Sequence, residues 1–391
     1  MTNQGKPMPD GWLRPHPEDP DRLVADLPSP CVQAHAANLM MLDDGTLACV
    51  WFGGSMEGRS DISVFMSRLA PGAAQWSEPV QLSDDVERSE QNPVLFPAPD
   101  GALWLLHTAQ YSGHQNTSVV RRRLSRDQGR SWGPTETLAD APAGTFVRQP
   151  LHVHADGSWL LPVFHCRAQP GLAWDGSHDD SGVLRSADQG RSWQRIAVPG
   201  SQGCVHMNIV QASNGGLLAF FRSRWADHVY RSRSDDGGLS WQQPEATELP
   251  NNNSSIQALR LADGRLAMIF NASSAADATQ RRESLYDELD DRPATPATAA
   301  AGERRAFWGA PRAPMTLALS ADDGLSWPWQ RNLETGDGWC MSNDSEHGRN
   351  REYSYPSIRQ GADGALHLAY TVFRQHIRHV RVQPDWVNEQ A

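Results

Sequence analysis

Five short polar stretches recur at the same point of a repeating unit, the loop that enters an apolar strand. They are Gln91-Asn92-Pro93, Arg148-Gln149-Pro150, His206-Met207-Asn208, Asn251-Asn252-Asn253-Ser254-Ser255 and Tyr353-Ser354-Tyr355-Pro356. Guanidinium and amide groups bind and orient a polar ligand, while an imidazole and a phenol can also move protons. Taken singly, each stretch reads as a satisfied polar strand end. Their shared register implies a common site, because equivalent positions on the innermost strands of a radial repeat converge on its axis and line one funnel.

The elements that would hold such a funnel are legible as two repeats. Ser-x-Asp-x-Gly-x-x-Trp occurs at Ser125 to Trp132, Ser186 to Trp193, Ser234 to Trp241 and Ser320 to Trp327. Its Asp can accept backbone N–H groups two or three residues on, its Gly can take φ > 0, and its Trp covers the turn with apolar area. That is a hairpin staple, not a reaction centre. A second repeat, Asp-Gly or Asn-Gly before an apolar run, falls at Asp44-Gly45, Asp100-Gly101, Asp156-Gly157, Asn214-Gly215, Asp263-Gly264 and Asp363-Gly364, and is expected to form two-residue hairpin turns. The following runs, such as Leu103-Trp104-Leu105-Leu106, read as buried strands. Six hairpins imply an all-β, six-bladed β-propeller occupying residues 1–391 as one domain.

Spacings between these turns are 56, 56, 58, 49 and 100 residues, so the fifth unit carries an insertion. It is placed at residues 273–306, partly helical near Gln280 to Leu289, and reads as a lid, an oligomer contact or a tolerated surface insertion. Residues 1–25 read as an N-terminal extension. A formal charge of −11 argues against nucleic acid or an anionic membrane as partner. No apolar run is long enough for a membrane span, and the first residues lack the apolar core of a signal peptide. Five scattered cysteines show neither a disulfide framework nor zinc spacing, which favours the cytoplasm. No metal and no cofactor are expected.

The boxes on six blades resemble the sialidase superfamily, specifically its BNR-repeat, sialidase-like branch, over about residues 30 to 382. The resemblance implies a substrate carboxylate held by three arginines, a tyrosine nucleophile paired with a glutamate, and an aspartate as acid/base. Arg312, ahead of the fourth box, and Arg222, with Arg224 beside it, match two of the arginines. Tyr355 is similar to the nucleophile, with Tyr353 as fallback and Glu352 close by. Asp61 is the acid/base counterpart, with Glu57 competing and Arg59 between them. Two positions depart from the family pattern: His35 stands where the first arginine belongs, and His206, 16 residues before Arg222, stands for the glutamate.

The candidate catalytic set is therefore Tyr355, Asp61 and His206. Binding candidates are His35, Arg59, Arg148, Arg222, Asn253, Arg312, Glu352 and Tyr353. A sialidase-like exo-glycosidase acting on a terminal acidic sugar is the leading expectation. Two imidazoles in place of a carboxylate and a guanidinium also fit a propeller lyase that eliminates across a uronate by His206 and Tyr355 chemistry. A non-catalytic carbohydrate-binding propeller is the third possibility.

Overall fold

The computed structural model describes residues 9–170, 172–289 and 304–388. They form six antiparallel sheets in chain order around a ring, the β-propeller expected from the repeats. The innermost strands of the six blades are Gln33–Met41, Arg88–Pro97, Thr145–Val147, Cys204–Gln211, Gln257–Arg260 and Tyr353–Gln360. The apolar runs after the Asp-Gly turns become the second strands and are buried throughout, as in Leu47–Gly54 and Leu217–Ser223.

Residues 14–26 are built into the propeller. Asp19–Asp26 pairs antiparallel with His376–Val382, Leu23 opposite Arg381, and Arg14–His16 adds the outermost strand. The sixth blade thus takes three strands from the end of the chain and two from its beginning. Such pairing closes the ring and covers a strand edge that would otherwise be open.

The Asp-Gly turns are three-residue loops, not the two-residue kind. Leu42 N–H bonds Thr46 O at 2.9 Å, and only Gly45 of the loop has positive φ, +78°. The same pairing recurs at Ala98 with Ala102, His154 with Ser158, Ala212 with Gly216, Leu261 with Arg265 and Gly361 with Ala365. The aspartate explains the choice: its carboxylate accepts the N–H two residues on, as Asp44 does from Thr46 at 2.9 Å, which fixes a turn ending in a left-handed glycine. In the boxes, Asp127 accepts Ser131 N–H, four residues on, at 2.8 Å, and Ser125 Oγ accepts Gly129 N–H at 2.7 Å. The other three boxes repeat both bonds.

The insertion is not helical near Gln280 to Leu289; its one regular element there is a short 3-10 turn at Ala275–Asp277, and residues 290–303 lie outside the described residues. Tertiary partners override the local helix tendency. Arg282 reaches Asn343 Oδ1, Tyr286 reaches the second blade, and Glu288 takes the Ser342 hydroxyl and the Asn343 N–H. One helix face could not satisfy all of these at once.

Candidate functional site

The inner strands carry a bulge at equivalent positions. Register shifts between His35 and Asn38, Gln91 and Val94, Val205 and Asn208, and Ser354 and Ser357. Inside the bulges Ala36, Asn92, His206 and Tyr355 have φ of +62°, +51°, +54° and +52°, and Asn253, just before the fifth inner strand, has +59°. Left-handed backbone is uncommon for non-glycine residues and re-aims a side chain out of the pleat. The polar register seen in the sequence is thus a repeated backbone device.

Tyr355 sits at the centre of what these bulges gather. Its ring centroid is 4.3 Å from that of His35 and 5.5 Å from that of His206, and the guanidinium carbons of Arg148, Arg222 and Arg312 lie 5.3, 5.5 and 5.7 Å from it. Arg222 Nη1 donates to the phenol oxygen at 2.6 Å, its Nε donates to Asn253 Oδ1 at 2.8 Å, and His206 Nε2 lies 3.4 Å from Nη1. Arg222 is only 1% exposed and Tyr355 5%. Among the described residues no carboxylate pairs with Arg222. Burial pulls its pKa down to about 9, the phenol opposing this and Arg224 and Arg312 adding to it, so it remains cationic at neutral pH.

Two other arginines are paired with carboxylates. Arg312 donates to Glu352 Oε1 at 2.9 Å, and Arg374 Nε lies 3.2 Å from Glu352 Oε2 while its Nη1 pairs with Glu57. Burial alone would raise the Glu352 carboxyl, yet the Arg312 and Arg374 guanidiniums hold it well below the carboxylate range. Burial, reinforced by nearby arginines, pushes His35 and His206 well below the ordinary histidine value, so both are neutral.

His35, His206, Arg222, Asn253, Arg312, Glu352 and Tyr355 therefore form one cluster. Two expectations need correction, Arg148 and Tyr353, and two further candidates, Asp61 and Arg59, lie outside the cluster on an exposed loop. Arg148 is not available to a ligand: its guanidinium donates to the carbonyls of Ala36, Ala37, Tyr355 and Pro356 and to Ser255 Oγ, tying blades across the axis. Tyr353 faces away, packing on Tyr370 and Phe373, because the bulge lies between it and Tyr355; burial raises its pKa to about 12. Asp61 is exposed, with its carboxylate on Ser55 N–H and Oγ, and Arg59 is exposed on the same loop. Glu57, on that loop too, is the carboxylate wired into the cluster.

Arg374 carried no sequence signal, since an arginine at a hairpin tip ordinarily reads as solvated; here Phe373 and Arg374 both take positive φ and turn it inward. The roof was equally hidden. Tyr286 accepts from Gln110 and Gln115 at 2.8 and 2.9 Å, and Trp308 donates to Asp175 O at 2.9 Å while lying 5.9 Å from the Arg222 guanidinium. A Cβ on Gly58 would come 2.7 Å from Tyr286 Cε1, so glycine lets the Glu57 loop tuck beneath this roof. Among the described residues no group of three or more His, Cys, Asp or Glu side chains is placed to hold a metal.

The BNR repeat-like domain family matches residues 45–368, and the chain belongs to that family. Its fold is similar to a solved structure of unknown function from Dyadobacter fermentans (15% identity, 92% of this chain and 97% of that one, TM-score 0.67). It is also similar to the Hadza microbial sialidase Hz136 (14% identity, 91% and 66%, TM-score 0.65) and to the intramolecular trans-sialidase of Ruminococcus gnavus (12% identity, 92% and 96%, TM-score 0.63). No curated protein matches it in sequence.

Proposed function

We propose that the protein is an exo-glycosidase that removes a terminal acidic sugar through Tyr355. The observation that carries this reading is the phenol oxygen held 2.6 Å from Arg222, a buried cation with no counter-carboxylate among the described residues. A sugar carboxylate supplies the missing charge and accepts a charge-assisted hydrogen bond from the unpartnered Arg222 Nη2. The Nη1 hydrogen bond stabilises negative charge developing on the phenol oxygen as it attacks.

In the first step a bond forms between Tyr355 Oη and the anomeric carbon while the glycosidic bond breaks. The phenol proton passes to the His206 Nε2 lone pair, and Asp61, on the exposed first-blade loop, protonates the leaving oxygen. Water then attacks the anomeric carbon and gives its proton to Asp61, while the tyrosyl–sugar bond breaks and the departing phenolate takes its proton back from His206, so configuration is retained. A neutral phenol meets no repulsion from a substrate carboxylate, which a carboxylate nucleophile would.

Tyr355→Phe tests this directly. Its turnover of an aryl glycoside of N-acetylneuraminic acid, or of a glucuronide, should fall at least about a hundredfold with the fold unchanged by circular dichroism. Full activity in this variant would sink the proposal. An unsaturated uronate product would mark elimination by the His206 and Tyr355 pair instead, and binding with no turnover would mark a carbohydrate-binding propeller.

A further inference from the structure

Three polar atoms beside Tyr355 are buried with no hydrogen-bond partner among the described residues: His35 Nε2, His206 Nδ1 and Arg222 Nη2. Their neighbours determine what each can offer. Thr371 Oγ1 accepts the Ala36 N–H at 3.2 Å, and its other partner is His35 Nδ1 at 2.9 Å. The hydroxyl proton has no other acceptor among the described residues than His35 Nδ1, so Thr371 donates to Nδ1 and the His35 proton resides on Nε2. His206 faces Arg222. A guanidinium has no lone pair to give, so His206 Nε2, 3.4 Å from Nη1, is the acceptor and the proton resides on Nδ1. All three unpartnered atoms are therefore N–H donors.

We infer that His35 and His206 act as neutral donors that, with Arg222 Nη2, receive the anionic group of the ligand; this rests on the acidic-sugar reading of the same site. Two imidazole N–H groups here do the work of hydrogen bonding without adding positive charge. The cluster's other cations are already answered, Arg312 and Arg374 by Glu352 and Glu57 and Arg148 by carbonyl oxygens. The site thus holds two cations with no counter-carboxylate among the described residues, Arg148 with its donors spent on neutral oxygens and Arg222 with a donor left over. It selects a carboxylate flanked by acceptor oxygens, and it excludes cationic amino sugars, for which the cluster has no free acceptor carboxylate among the described residues.

The arrangement has a consequence for tautomers that activity alone would not show. Long-range proton–nitrogen correlation spectra of the whole ligand-free protein with labelled histidine should find His35 protonated at Nε2 and His206 at Nδ1, with neither becoming an imidazolium between pH 8 and 5. N-Acetylneuraminic acid should shift both N–H signals, and its methyl ester should not. His35→Gln, which keeps an N–H donor, should bind the acid within about threefold of the parent, and His35→Leu should bind it at least about tenfold more weakly. Opposite tautomers, an imidazolium at pH 7, or equal response to acid and ester would overturn the inference, even in a protein that cleaves glycosides. The expected tautomers with an acid-specific shift and no cleavage would support it while sinking the glycosidase. The spectra are taken on the parent protein, so they do not depend on a variant folding.

Discussion

In the box of the second blade, every side-chain bond of Ser125 and Asp127 closes within four residues of chain, from the Ser125 hydroxyl on Gly129 N–H to the Asp127 carboxylate on Ser131. At the axis, Arg222 reaches 31 residues along the chain to Asn253 and 133 to Tyr355, and Arg374 reaches 317 to Glu57. Both regions are built from charged and hydroxylated side chains. The rim spends its repeated Ser and Asp on the turn itself, although other box residues reach further, as Asp323 does to Ser213. The axis spends its side chains on one another, across blades, and leaves donors over. That difference separates a scaffold device from a binding site: a self-satisfied turn has nothing to offer a ligand, whereas a shared buried network with unfilled donors does.

The sharpest way to break the comparison is to remove a charge from the shared network. Glu352→Gln leaves Arg312 and Arg374 buried with one carboxylate, Glu57, between them. Urea unfolding should show a loss of about 3–5 kcal/mol, the cost of stranding a buried charge. A loss no larger than that of a surface substitution would mean the axis is as modular as the rim.

Arg222→Met separates function from stability. It removes a buried cation that has no partner carboxylate, and this offsets the bonds lost to Asn253 and Tyr355, so unfolding free energy should move by only about 1 kcal/mol. Affinity for N-acetylneuraminic acid, by calorimetry, should fall roughly 30-fold or more. Equal damage to both would make Arg222 a structural residue like Arg148.

The two regions should also answer acid at different pH. His35 and His206 are held neutral in the fold, so below the unfolded value near 6.5 the unfolded chain binds the extra protons and stability falls as pH drops. Each contributes a slope of up to about 1.4 kcal/mol per pH unit between pH 6.5 and 5, and His35→Gln should flatten the curve by one such increment. For Asp236 and Asp322 of the boxes, burial raises the carboxyl but the Ser and backbone donors lower it more, a net depression. Their contribution is present above about pH 4 and is lost only as pH falls below it. A pH curve flat from 8 down to 4 would remove the distinction.

The same contrast explains what could be read from the sequence. Box and Asp-Gly turns are local, so blade number and ring architecture follow from residues four apart. The recurrence of His206, Asn253 and Tyr355 at one repeat position was readable because the bulge that aims them is itself repeated. Arg374, Tyr286 and the true employment of Arg148 were not, because each is defined by partners more than a hundred residues away or on another blade. Tyr353 and Tyr355 could be told apart only by the bulge between them, a register detail that alternation of residue types does not encode.

The smallest expected effect tests the independence of the rim. Asp236→Ala and Asp322→Ala each remove carboxylate bonds to the serine four residues on, Ser240 and Ser326, in different blades with no shared partner. By analogy with a lost helix cap, each should cost about 1 kcal/mol, and the double variant should cost the sum to within about 0.5 kcal/mol. Glycoside turnover should be unchanged in all three, since neither aspartate bonds any residue of the Tyr355 cluster. Coupling well beyond that margin would show strain passing from one blade to the next through the core between them. In that case the four boxes would be acting as one cooperative rim, and their repetition would reflect mutual support around the ring, not four separate solutions to the same turn.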